Sequence, residues 1–147
     1  MPNSLLICWL ACGLFFLIGL LTGLWKYIQI TKSEKARAHY YVDVAHRASL
    51  MYSFSCIVLA KFVEFSAWSE TVNFWAALGP IVFFGLAIQG YIVHGFLQDT
   101  NNQLRKPHRL GRGKIPDIVV SGFMYLLASA EIGGFVVLFS GFVVAQF

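Results

Sequence analysis

The sequence predicts an all-α integral membrane protein, a four-helix bundle with both termini on the non-cytoplasmic side. Three observations carry that expectation. The chain is 58% hydrophobic and only 12% charged, whereas a soluble domain carries about 25% charged residues. Its apolar residues fall into four long runs. Its basic residues gather in two of the connections between those runs, as they do beside membrane spans. A core made from 147 residues cannot hide so much apolar surface from water. Lipid is the solvent that suits it.

The first run is about 5–25, uncharged throughout. About 20 residues at 1.5 Å each cross roughly 30 Å of hydrocarbon, so a run of this length reads as a spanning helix. It begins almost at once after Met1-Pro2-Asn3, with no positive n-region and no small-residue cleavage site, so no cleaved signal peptide is expected. The second run is about 48–68 and contains Lys61 and Glu64. The third is about 72–97, with Pro80 in its first part, and the fourth is about 118–145, with the single charge Glu131. The runs are continuous rather than alternating, which favours helices over barrel strands. The whole chain, 1–147, reads as one transmembrane domain.

The connections differ. Residues 26–47 form a polar, partly amphipathic link with a candidate interfacial helix over Glu34–Val44. Ser69-Glu70-Thr71 reads as a tight turn that makes helices two and three an antiparallel hairpin. Asp99 to Asp117 is a basic loop with Gly and Pro. Ten of the 11 Lys and Arg residues lie in or beside the first and third connections, and the other is Lys61. Lys and Arg stay cytoplasmic, so both long loops face the cytoplasm and both ends face away. Topology alone explains these charges. Their functional reading is anionic-lipid binding by the Arg105–Lys114 cluster. No nucleic-acid partner is expected, because the basic residues are not interleaved with exposed aromatics.

Cys8, Cys12 and Cys56 all fall inside apolar runs without metal-ligand spacing and read as buried thiols. Trp25, Tyr27, Tyr40, Tyr41, Trp68 and Trp75 read as an interfacial aromatic belt.

Two constellations can carry chemistry. Charges inside a membrane helix are costly and mark function more often than elsewhere. Lys61 and Glu64 share a helix face. Lys61 and Glu131 lie equally far from the predicted cytoplasmic ends of helices two and four. The expected arrangement is a Lys61 cation shared by Glu64 and Glu131. It serves as a structural clamp, a proton path or a polar substrate site. Small residues around Glu131, including Gly133 and Gly134, suit close helix packing.

The second constellation is a pair of histidines. His46 opens helix two and His94 nearly closes helix three, so a hairpin brings both near the cytoplasmic boundary. Imidazole is a common axial ligand of haem iron and a proton carrier. Taken singly, each is an ordinary interfacial polar residue. His39 and His108 read as solvated loop residues. Tyr52 and Tyr91 fall near the same end of the bundle, as buried hydroxyls in need of a partner.

Gly19-Leu20-Leu21-Thr22-Gly23 closes helix one, and His46-Arg47-Ala48-Ser49-Leu50-Met51 opens helix two. With four short helices, this pattern resembles the styrene oxide isomerase-like family of small membrane proteins, most closely over helices one and two. The resemblance implies haem b bound in the membrane, with His46 as axial ligand of the iron. It implies a Lewis-acid isomerisation of a small apolar epoxide to a carbonyl compound, with Tyr52 and Tyr91 as orienting donors. It also implies a homo-oligomer with haem near subunit contacts, in a bacterial inner membrane. His94, as a second ligand, would close the open position and make the site an electron-transfer cytochrome instead. A second register places His39 at the ligand position, though His46 is the one followed directly by the apolar helix. The chain departs from the family at Tyr52-Ser53, where the family has Asn-Gly. Without CxxCH, covalent c-type haem is not expected. The competing readings are a haem-free transporter or proton-coupled subunit built on Lys61, Glu64 and Glu131, and a structural subunit of a membrane complex.

Overall fold

Four helices make up most of the chain: α1 (Asn3–Lys32), α2 (Tyr40–Glu64), α3 (Glu70–Leu97) and α4 (Asp117–Gln146). A minimal antiparallel hairpin, β1 (Arg109–Leu110) and β2 (Gly113–Lys114), lies between α3 and α4. The structure, a computed structural model, describes residues 1–147.

Side chains fix where each helix starts. The first turn of α1 has amides without helical partners, and Glu70 of α3 supplies one. Ser4 donates its backbone N–H to Glu70 Oε1 at 2.8 Å and its hydroxyl to Oε2 at 2.6 Å. His39 caps α2, its Nδ1 accepting the Tyr41 N–H at 3.3 Å. Ser69 caps α3 by accepting from Val72 N–H. Pro116 precedes α4, whose first turn carries Asp117 where the helix dipole favours an anion.

Two expected connections are revised. No separate interfacial helix covers Glu34–Val44: α1 runs on to Lys32, α2 begins at Tyr40, and the link is only 33–39. The polar residues of this region extend the helices because they find partners across the link. Lys26 pairs with Asp43 at 2.5 Å, and Gln29 Oε1 accepts the His39 N–H at 2.9 Å. The turn between α2 and α3 falls at 65–69, because Ser69 is the cap and Glu70 is already helical.

Three of the helices, α1, α3 and α4, are long and apolar enough to cross a membrane, consistent with an integral membrane protein. The expected fourth apolar span belongs to α2. It has 25 residues but carries Asp43 and Arg47 near one end and Lys61 and Glu64 at the other. Its uncharged middle is rich in serine. Those hydroxyls are satisfied by backbone carbonyls: Ser49 on Ala45, Ser55 on Met51, and Ser53 on Cys12 of α1. The outer surface is apolar in every direction, with Leu10 63%, Phe54 60% and Ile132 65% exposed. Apolar exposure on this scale marks a surface that meets membrane or partner rather than water.

The core gathers Cys8, Ala11 and Phe15 of α1, four residues of α2, four of α3 and only Leu138 of α4. Cys8 and Cys56 are buried free thiols, as expected, whereas Cys12 is only partly buried. Small residues let the helices approach. A Cβ on Gly19 would meet the Leu50 side chain at 2.6 Å, so α1 and α2 pack through a glycine notch. Gly134 of α4 makes a second notch, against the Ala76 carbonyl and the Pro80 ring of α3.

His39 is not a free loop residue, since it holds the start of α2. Burial lowers its imidazole below the ordinary 6.5. The neutral ring accepts the Tyr41 amide and the imidazolium does not. The cap is therefore fully present above pH 6.5 and is lost as pH falls through the lower folded value. Amide exchange of Tyr41–Asp43, corrected for intrinsic rate, should lose protection on that descent. Unchanged protection would show that the cap contributes nothing.

Candidate functional site

His46 lies on the face of α2 that meets α1. Its ring rests over Gly23, where a Cβ would meet Cε1 at 2.8 Å and Nδ1 at 2.9 Å. Its Nδ1 stands 2.7 Å from the Gly19 carbonyl oxygen. A carbonyl only accepts, so Nδ1 carries the proton and donates. In the neutral ring the lone pair then sits on Nε2, which has no hydrogen-bond partner in the fold. Thr22 also donates its hydroxyl to Gly19 O, at 3.1 Å. Metal-binding imidazoles are commonly held this way, with one nitrogen on a backbone carbonyl and the other free. One turn away, Asp43 bridges Lys26 and Arg47, at 2.5 Å and 2.8 Å. Two cations thus stand near the imidazole.

His94 is committed elsewhere. It is buried, and its Nδ1 donates to Asp99 Oδ1 at 2.8 Å. Asp99 Oδ2 accepts the Gly111 N–H at 2.5 Å. The His94 ring packs on Tyr41, centroids 5.1 Å apart, and the Tyr41 hydroxyl accepts the Gln103 N–H at 2.6 Å. His94 therefore latches the basic loop to the end of α3. Gly111 turns the hairpin at φ +59°, a conformation that favours glycine. His108, expected in solvent, is buried in this loop, where its Nδ1 donates to Gln103 O at 3.1 Å. Burial by itself raises the Asp99 carboxyl, but the hydrogen bonds from His94 and Gly111 outweigh it and hold it below the usual 3.8. Asp99→Ala removes both bonds to a charged acceptor and should cost the latch about 2 kcal/mol. The check is protease cleavage within residues 98–116, which should accelerate. An unchanged rate would place the latch elsewhere.

Tyr52 and Tyr91 meet between α2 and α3. Their hydroxyls lie within reach of each other. Tyr52 stacks on Phe84 at 4.3 Å and Tyr91 on Tyr41 at 6.0 Å. Glu131 Oε1 is buried without a hydrogen-bond partner.

The expected three-charge cluster divides. Lys61 pairs with Glu64 at 2.7 Å, on a surface where their side chains are 56% and 46% exposed. Glu131 makes no ion pair with either. Helix rotation, which position along the chain does not fix, set the groups on different faces. His46 and His94 separate for the same reason, one on α1 and the other beside Tyr41 and Asp99. His46 and Tyr52 are six residues apart, so they project from α2 about 120° apart. No three His, Cys, Asp or Glu side chains gather as a metal site.

Sequence reasoning overlooked Asp99 and the Lys26–Asp43–Arg47 bridge. The i,i+4 spacing of Asp43 and Arg47 was the available signal for the bridge. Nothing local announces Asp99, whose partners come from α3 and from the hairpin. Comparison with models of known protein families, with curated proteins and with solved structures finds no match.

Proposed function

We propose that this chain is an integral membrane protein that binds haem b through His46 and isomerises a small apolar epoxide to a carbonyl compound. One observation carries the reading: His46 Nδ1 is fixed on the Gly19 carbonyl while Nε2 is left without a partner. The donor set suits haem. A neutral imidazole with its tautomer fixed by a carbonyl is an axial ligand in waiting, and glycine at position 23 leaves room for the ring. Lys26 and Arg47, both paired to Asp43, are the basic residues closest in sequence to this ligand set, and either would have to leave Asp43 to meet a propionate. When bound, ferric haem supplies a Lewis acid with one open position.

The chain's own residues do the rest. Isomerisation adds and removes no atoms, so the protein must hold the substrate dry and keep its oxygen pointed. Tyr52 on the Phe84 ring, beside Tyr91, offers hydroxyl donors on an apolar wall. Tyr52 fills the place where the resembling family has Asn. Within one chain Tyr91 lies on α3 beside Tyr52, and Tyr52 and His46 project from different faces of α2. A site that uses both draws them from two copies, in keeping with a homo-oligomer. The apolar faces of α1 and α2, with Leu24 57% and Met51 69% exposed, are available for that contact. His94 is tied to Asp99 and would not serve as a second ligand, which favours the enzyme over a cytochrome.

In this reading the charges put both basic loops in the cytoplasm with both termini opposite, and the family resemblance points to a bacterial inner membrane. The test is the visible spectrum of detergent-purified protein, oxidised and reduced, beside His46→Ala, followed by epoxide turnover. A Soret band carried by His46 with five-coordinate iron and turnover is the expected result. Haem with a six-coordinate spectrum and no turnover would reject the enzyme.

A further inference from the structure

The basic loop holds a feature that the haem reading does not use. Asp99–Arg109 encloses a cup of about 380 Å³ whose walls are polar or charged side chains and Pro107, among them Asn101, Asn102, Arg105, Lys106 and Arg109. Beside it, a slot of about 220 Å³ opens between the loop and the start of α4. The slot is mostly apolar, lined by Leu104, Ile115, Val119, Val120, Phe123 and Met124. Arg109 lines both cavities.

The cup is charged and held in shape. Arg105 and Arg109 form no ion pair, and Lys106 pairs only with Asp117, at 2.5 Å. The carboxylate in the cup, Asp99, is spent on His94 and Gly111. The loop is pinned by Tyr41 on Gln103, by His108 on Gln103, and by Ile115 N–H on His108 O at 3.0 Å. A cationic cup joined to an apolar slot at a helix end matches one ligand chemistry, a phosphate headgroup carrying an acyl chain. A free anion would leave the slot unused, and a neutral lipid would leave the guanidinium groups unpaired.

We infer that the Arg105–Arg109 cup and the Val120–Phe123 slot form a binding site for one anionic phospholipid, phosphate in the cup and acyl chain along α4. The site rests on the membrane placement but not on the haem, nor on which leaflet holds the loop. Diffuse attraction of a polybasic segment is the rival account, and it predicts that every cation counts alike.

Native mass spectrometry of the full-length protein in detergent separates the two. The probes are phosphatidylglycerol, phosphatidylcholine of the same chains, and sn-glycerol 3-phosphate. Phosphatidylglycerol should bind at least about tenfold tighter than phosphatidylcholine, each useful cation being worth about fivefold. The Arg105→Ala/Arg109→Ala variant should lose about twenty-five-fold and the headgroup preference with it. The Arg112→Ala/Lys114→Ala variant removes the same charge from outside both cavities and should bind as wild type. Val120→Trp fills the slot and should weaken phosphatidylglycerol while leaving glycerol phosphate unaffected. Equal losses in the two double variants, wild-type binding by Val120→Trp, or glycerol phosphate binding as tightly as the lipid would each overturn the site. Helix content by circular dichroism, equal among the variants, excludes misfolding, and haem content is unaffected by any of them.

Discussion

His46→Ala should abolish the Soret band of the purified protein while leaving the helix content unchanged. The ring contributes one hydrogen bond to the fold, Nδ1 to Gly19 O, and a bond between neutral groups is worth about 1 kcal/mol. Its loss leaves α1 and α2 joined by the Gly19–Leu50 notch and the Ser53–Cys12 hydrogen bond. A haem held as proposed would, by contrast, lose its one protein ligand. Gly23→Ala is the finer probe, because the added carbon stands 2.8 Å from Cε1 and must push the imidazole off its carbonyl. Disturbing the group that orients a ligand costs about 10–100-fold in metal affinity. Haem should therefore still bind to Gly23→Ala, but at that penalty. His94→Ala should keep its Soret band, since that ring serves Asp99. A band that survives in His46→Ala and vanishes in His94→Ala would assign the ligand to the other histidine and remove the argument built on Gly19.

Gly134→Ala should be the most damaging single methyl in the chain. The new carbon would meet the Ala76 carbonyl and the Pro80 ring. A carbonyl in a helix cannot swing aside, and a proline ring is fixed in its own backbone. Overpacking of this kind costs about 1–3 kcal/mol, and the upper end is expected because backbone meets backbone. Gly133→Ala is the control. It has nothing within 4 Å of its new carbon and gains about 1 kcal/mol of helix propensity. Trp68 reports the difference, since its indole N–H donates to Val137 O of α4 at 3.0 Å. Displacing α4 should break that bond and shift the Trp68 emission in Gly134→Ala alone. Identical emission in the two variants would mean that α4 is held by something other than the notch.

These two glycines show how far the sequence could be read. Gly133-Gly134 suggested close packing, and close packing is there. Which of the two faces α3 is a matter of helix rotation, and α4 is apolar on all sides, so no polar stripe reveals its orientation. The same gap separated Glu131 from Lys61 and His46 from His94. Long apolar runs gave element number and approximate depth. Azimuth needs an amphipathic pattern that a lipid-facing helix lacks. Ends were legible only where composition and hydrogen bonding coincide. α3 ends at Leu97 as expected, but α1 passes Trp25 to Lys32 because Lys26 and Gln29 find partners on the other side of the link. The Asp99 latch was out of reach, because it forms only after α3 and the hairpin have met.

The uneven core has a bearing on how the chain is made. Eleven of its 12 residues come from α1, α2 and α3, and α4 adds Leu138 alone. Synthesis proceeds from the N-terminus, so the three helices that enclose the core emerge first. Glu70, the first residue of α3, is then already present to close the open end of α1. The last helix leaves the ribosome to find a largely built platform and docks on it through Gly134 against α3 and through Gly141 and Val137 against Ser66 and Trp68. Packing order and synthesis order coincide, because the three helices that supply most of the core all precede α4 in the chain.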